Sequence, residues 1–143
     1  PYHSSKHAAD VMQSSHVLLN LPTLQNLFSP YDVTAALFAA AVHDVGHPGV
    51  TNQYLINTGS DLALLYNDNS VLENYHVSLA FKLAQNPQRD IFSKLSSDER
   101  KIMRRMINDI VLATDMTKHI IILAELQTMM ETRNLTGIES DTI

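Results

Sequence analysis

From Ala35 to Val42 the sequence is apolar almost without a break, and after three intervening residues comes Gly46-His47-Pro48-Gly49. A run of this length and density predicts a helix buried on most of its circumference. The breaker cluster behind it forces the chain to turn at once. Whatever stands between the two, here His43 and Asp44 followed by Val45, is held at the mouth of a dry helix.

The rest of the chain extends the helical reading. His7 through Leu19 carries apolar residues at helical intervals and stops before Pro22. Pro30-Tyr31-Asp32 opens the buried helix. Short helical pieces separated by Asn and Gly are expected between Thr51 and Asn69. Ser70 is expected to cap a long helix ending near Asn86-Pro87, with Glu73 in capping-box position. Ser96-Ser97-Asp98-Glu99 opens another, running to about Met116, and Lys118 to Thr132 reads as a last one. No segment alternates with period two, and there are no repeats or dividing linkers. The expected class is all-α, a single-domain piece.

Composition narrows the function. A hydrophobic fraction of 45% in 143 residues suffices for a core. No apolar run approaches the roughly 20 residues of a membrane span, and no leader pattern stands at the start. Cysteine is absent, so any metal must be held by nitrogen and oxygen; the expected setting is soluble and cytoplasmic. A net charge of −5 argues against a nucleic-acid partner. The basic residues Arg100, Lys101, Arg104 and Arg105 read as a solvated helix face. An acidic protein that handles phosphate draws its positive charge from bound metals. The first residue, Pro1, and the polar Glu139 to Ile143 stretch, read as a loop, suggest a piece of a longer protein.

Seven histidines are present, and several keep informative company. His3 and His7, four apart, share one helix face. His43 is adjacent to Asp44, with His47 in the turn. Imidazole suits zinc, and a carboxylate can reach a second, harder ion through its other oxygen. Taken alone, His-x-x-x-His is more often a pair of surface histidines, and His-Asp an ordinary helix end. Glu73 and His76 share a face of their helix. Thr114, Asp115 and His119 fit capping or core polar roles as well as functional ones.

Four segments carry a family resemblance. Tyr2-His3-Ser4-Ser5-Lys6-His7-Ala8-Ala9-Asp10-Val11 resembles the YHxxxHAxDV signature of class I 3′,5′-cyclic-nucleotide phosphodiesterases. His43-Asp44-Val45-Gly46-His47-Pro48-Gly49 is similar to their HDxxHPG motif. Asn67 to Asn74 resembles YNDxSVLEN, and Ile110 to His119 is similar to their LATDMxKH segment. The wording between them, at Asn52 to Thr58 and Leu62 to Asp68, looks closest to the cAMP-specific type 4 class, and types 1, 7 and 8 share much of it.

The resemblance implies an all-α, multi-helix bundle of the HD-type phosphodiesterase kind. Residues 1–143 would be the N-terminal part of one catalytic domain. It implies hydrolysis of a 3′,5′-cyclic nucleotide, cAMP favoured over cGMP, to the 5′-monophosphate. His3 would be the general acid, and His7, His43 and Asp44 would bind zinc. Asp44 would also touch a second divalent ion, magnesium or manganese, whose waters His47, Glu73 and Thr114 would hold. Tyr2, Asn52 and Met116 would line the nucleotide pocket. The full protein could be a homodimer.

The pattern is broken where Gly46 replaces an Asp, expected to alter loop hydrogen bonds, and where Tyr75 replaces a frequent His. The family's further Asp ligand and its purine-clamping glutamine belong to a C-terminal half beyond Ile143. The isolated chain is therefore expected to bind metal weakly and not to turn over. A regulatory fragment, or another HD-type metal phosphohydrolase, stands as the alternative.

Overall fold

The structure, a computed structural model, describes residues 2–24 and 27–137, the last five as backbone only. The polar stretch from Glu139 to Ile143 and the residue Pro1 lie outside the described residues. Among these residues the chain is all-helical, as the apolar spacing predicts: α1 Ser5–Leu19, α2 Pro30–Val42, α3 Asn52–Asn57, α4 Asp61–Leu65, α5 Val71–Ala84, α6 Ser97–Leu112 and α7 Met116–Gly137. They fall into two compact units, 1–112 and 113–143.

Local chemistry starts most of these helices. Ser29 accepts from the Asp32 N–H at 3.3 Å, while the Asp32 carboxylate accepts from the Ser29 N–H at 2.8 Å. Pro30 follows at the first helical position, where its missing N–H costs nothing. Thr51 and Ser60 accept from Tyr54 N–H and Ala63 N–H. Ser96 and Glu99 form a second capping box, with Ser96 N–H donating to Glu99 Oε2 at 2.8 Å.

The long helix α5 departs from this scheme, and from the capping expected of Ser70. Ser70 is in the left-handed region, with φ 42°, and makes no side-chain cap bond. A serine cap needs an extended backbone to aim its hydroxyl at the first turn. Asn52 takes that role from α3: its Oδ1 accepts from Leu72 N–H at 2.8 Å, and its Nδ2 donates to Glu73 Oε2 at 2.9 Å. Glu73 therefore turns toward Asn52 instead of closing a box on Ser70.

The core of the first unit joins Ala35 and Ala39 of α2 to Val77 of α5, Phe92, and Met103, Ile107 and Val111 of α6. A second cluster, Leu55, Ala63, Val71 and Leu72, ties α3 and α4 to the start of α5. Burial of α2 is narrower than its composition predicts. Ala35, Ala39 and Ala40 are buried, whereas Ala41 is exposed and faces a cavity beside α1.

The basic residues of α6 lie on its outer face as expected. Arg100 pairs with Asp90 at 2.8 Å, Lys101 with Asp98 at 2.9 Å, and the Arg104 guanidinium sits 4.4 Å over the Phe81 ring. The expected helix boundary moves: α6 stops at Leu112, the last residue of the first unit, and α7 begins at Met116. The Asp115 carboxylate accepts from Thr117 N–H at 3.0 Å, a capping bond. No helix among the described residues is long and apolar enough to cross a membrane.

Candidate metal centre

Three elements deliver the histidines to one point. α2 ends at Val42, so His43 and Asp44 leave its last turn together. The chain then bends, with Val45 N–H bonded to the Val42 carbonyl and His47 N–H to the Asp44 carbonyl. α1 lies along α2, bringing His3, just before its first turn, and His7 over the same end. α5 supplies His76 from the other side.

Asp44 is the hub. Its Oδ2 lies 3.0 Å from His43 Nε2, 3.2 Å from His7 Nε2 and 4.0 Å from His3 Nε2. Its Oδ1 is 3.9 Å from His76 Nε2. Side-chain exposure falls from 34% at His3 to 17% at His7, 13% at His43 and 2% at His76. The cluster thus has a mouth, where His3 sits, and a floor. His3 and His47 stack there with centroids 3.7 Å apart and planes 13° from parallel. Tyr2 covers His7 at 4.6 Å. A cavity of about 470 Å³ opens beside His3 and Asp44, walled by Ala8, Met12 and Ala41.

Hydrogen bonds fix which nitrogen of each ring is free. His43 Nδ1 lies 2.9 Å from the Ala40 carbonyl, and His76 Nδ1 lies 2.8 Å from the Val45 carbonyl. A carbonyl can only accept, so each Nδ1 carries the proton and each Nε2 presents a lone pair when neutral. His47 has the opposite arrangement, its Nδ1 accepting from Gly49 N–H at 2.9 Å, which leaves the proton on Nε2.

The neutral His43 lone pair therefore faces a carboxylate oxygen at 3.0 Å. Two acceptors that close need a proton or a cation between them. The ligand atoms of His7, His43 and Asp44 lie within 4.8 Å of one another, as do those of His3, Asp44 and His47. Two imidazoles and a carboxylate are a donor set that suits zinc, so the residues present fit a metal.

The electrostatics agree. Burial alone would push the Asp44 carboxyl up, but the hydrogen bond and charge of His43, joined by His3 and His76, outweigh it and hold the group at about 2. His43 is raised, chiefly by its hydrogen bond to Asp44 and against the pull of burial. Burial lowers His47, with His3 beside it adding to the effect. Burial likewise lowers His76, against the opposing pull of the Val45 carbonyl and of Asp44.

Of the residues singled out in the sequence, the first unit gathers His3, His7, His43, Asp44 and His47 around one carboxylate, with Tyr2 against two of the rings. Asn52 and Glu73 are bonded to each other at the start of α5. Thr114 and Met116 belong to the second unit. His76 is the member that site reasoning passed over. Its place three residues after Glu73 was the available signal, but nothing local marks a histidine as buried beneath a turn 31 residues earlier.

Comparison with known proteins gives the arrangement a family. The profile described as 3′5′-cyclic nucleotide phosphodiesterase matches residues 2–142. The mouse protein named 3′,5′-cyclic-AMP phosphodiesterase 4C is 58% identical over 137 residues, covering 96% of this chain and 20% of that protein. A Drosophila melanogaster 3′,5′-cyclic-AMP phosphodiesterase, isoform F, is 56% identical over the same length, covering 96% of this chain and 21% of its own. The chain thus spans about a fifth of these relatives. Among solved structures, the phosphodiesterase domain of the RhoPDE fusion protein from the choanoflagellate Salpingoeca rosetta superposes with a TM-score of 0.83. It is 36% identical, and the match covers 94% of this chain and 41% of that one. The chain belongs to the 3′,5′-cyclic nucleotide phosphodiesterase family.

Proposed function

We propose that the intact protein hydrolyses a 3′,5′-cyclic nucleotide, cAMP favoured, to the 5′-monophosphate, and that residues 1–143 form the N-terminal part of its catalytic domain. The observation that carries this reading is the convergence of His7 Nε2, His43 Nε2 and Asp44 Oδ2, with His3 standing at the mouth of the same cluster. The preference for cAMP rests on the names of relatives 56–58% identical to this chain.

His7, His43 and Asp44 would hold zinc. A second divalent ion, magnesium or manganese, would be reached by Asp44 through its other oxygen, with His47, Glu73 and Thr114 holding the waters around it. Bound ions of this kind lower the pKa of water toward neutrality and neutralise phosphate charge. The protein's own part is orientation and proton supply. The Ala40 and Val45 carbonyls fix the His43 and His76 tautomers, so the lone pairs stay aimed inward. His3, the most exposed of the four histidines around Asp44, is free to meet a substrate from solvent. Its stacking on His47 holds the ring while it delivers a proton to the departing O3′.

Tyr2, Asn52 and Met116 would line the nucleotide pocket. The Asn52 amide already bonds Leu72 and Glu73, so its part there would be that of a wall.

Hydrolysis of cAMP by the intact protein tests the reading. His3→Ala should lower kcat by ~10²–10⁴-fold, the usual worth of a positioned proton donor, while zinc content stays at the parent level. Asp44→Asn should lose both metal and turnover. Unchanged kcat in His3→Ala would remove the acid role. A parent protein that binds the nucleotide without cleaving it would make the chain part of a binding module.

A further inference from the structure

The turn that carries Asp44 and His47 rests on one face of α5. His76 Nδ1 holds it by donating to the Val45 carbonyl at 2.8 Å. One residue further on, Gly46 has φ +74°. A Cβ built there would stand 2.5 Å from Leu79 Cδ2, 3.2 Å from Tyr75 Oη and 3.3 Å from Tyr75 Cε1. The Leu79 methyl ends a flexible side chain and can swing away. The Tyr75 ring is rigid and half-buried.

Gly49 provides the contrast within the same turn. Its φ is +83°, yet a Cβ there would meet nothing within 4 Å. Both glycines answer a left-handed backbone that side chains resist. Only Gly46 also yields space that neighbouring side chains lie against. The two positions where the chain departs from its motif pattern, 46 and 75, are therefore neighbours: a side chain at 46 would meet the Tyr75 ring.

We propose that Tyr75 is a positioning residue for the metal-binding turn. Its ring, seated against the bare backbone of Gly46, fixes the turn sideways on α5 while His76 fixes it at Val45. The turn's own bonds, Val45 to Val42 and His47 to Asp44, are local and leave it able to swing as a unit. Asp44 Oδ2 must stay within reach of two imidazole nitrogens at once, at 3.0 and 3.2 Å. A small sideways shift would lengthen one of these distances and disturb the stacking of His47 on His3. Sites of this kind depend on supporting contacts that hold geometry to within about 0.5 Å.

The inference rests on the reading of His7, His43 and Asp44 as metal ligands, and its test separates the two. In the intact protein, Tyr75→Ala, Tyr75→Phe, Gly46→Ala and Gly49→Ala are compared by zinc affinity, measured against a chromophoric chelator. The melting temperature of the metal-stripped protein, kcat and KM complete the comparison. Tyr75→Ala should lose roughly tenfold or more in zinc affinity and in kcat, the scale of outer-sphere ligand support, with KM little changed. Tyr75→Phe, which keeps the ring, should restore both. Gly46→Ala should reproduce the loss. Gly49→Ala, which carries the backbone strain without the contact, should melt lower yet keep its zinc affinity.

Tyr75→Ala that melts lower but binds zinc and turns over like the parent would overturn the proposal, leaving Tyr75 a packing residue. Equal zinc affinities in Gly46→Ala and Gly49→Ala would overturn it too, and that pair decides the matter if Tyr75→Ala does not fold. A parent that binds zinc but cleaves no cyclic nucleotide would end the functional reading while these affinities still tested the positioning role.

Discussion

His43 Nε2 and Asp44 Oδ2, 3.0 Å apart, leave room for one cation between them, so a metal bound as proposed would compete with a proton. Without metal, a protonated His43 bridges to Asp44, which is why His43 titrates above its usual value and Asp44 is held at about 2. The raised His43 contributes stability that is full below the ordinary histidine range and lost as pH rises through its folded pKa. The depressed Asp44 contributes stability present above the ordinary carboxylate range and lost as pH falls toward 2. Zinc needs the histidine deprotonated. Zinc affinity of the intact protein should therefore climb with pH through the neutral range, with proton release on binding, measurable by calorimetry in buffers of different ionisation enthalpy. His43→Ala should remove that proton release. The sequence made these residues legible because they sit together at a helix end before a forced turn. It did not reveal that both oxygens of Asp44 would be surrounded, since His76 arrives from a separate helix.

At the scale of elements, caps divide into those written locally and one that is not. Ser29, Thr51, Ser60 and Ser96 each bond a residue three places on, so their roles can be read from adjacent letters. α5 depends instead on Asn52, twenty residues before its Leu72 N–H partner. A local reading assigns that cap to Ser70, whose left-handed backbone prevents it. Asn52→Ala should lower the unfolding free energy by about 1 kcal/mol, the typical worth of a lost cap, as measured by urea denaturation. Glu99 supplies a second test. Its carboxylate is held at about 2, first by the Ser96 hydroxyl and then by the Tyr31 hydroxyl. That stabilisation is present above the ordinary glutamate value and lost as pH falls toward 2. Glu99→Gln should flatten the acid side of the stability profile below about pH 4.5.

At the scale of the molecule, the all-helical class followed from apolar spacing, and the core confirms where that spacing points. Ile107, fully buried between α2 and α5 in the main cluster, should cost about 2–5 kcal/mol when cut to Ala, read from denaturant unfolding. The narrower burial of α2 was not legible, because composition cannot say that Ala41 would face a cavity. Nor does the sequence report which contacts lie between Gly46 and Tyr75, twenty-nine positions apart. In the second unit, α7 exposes Ile120, Ile121, Leu126, Met129 and Met130.

Everything proposed for the site turns on whether His7, His43 and Asp44 hold one metal ion. Diffraction from crystals of the intact protein, recorded on both sides of the zinc absorption edge, tests it most directly. An anomalous peak is expected at the point where His7 Nε2, His43 Nε2 and Asp44 Oδ2 converge, lost in Asp44→Asn. An edge-dependent peak elsewhere, or none at that point in zinc-loaded, catalytically active crystals, would contradict it.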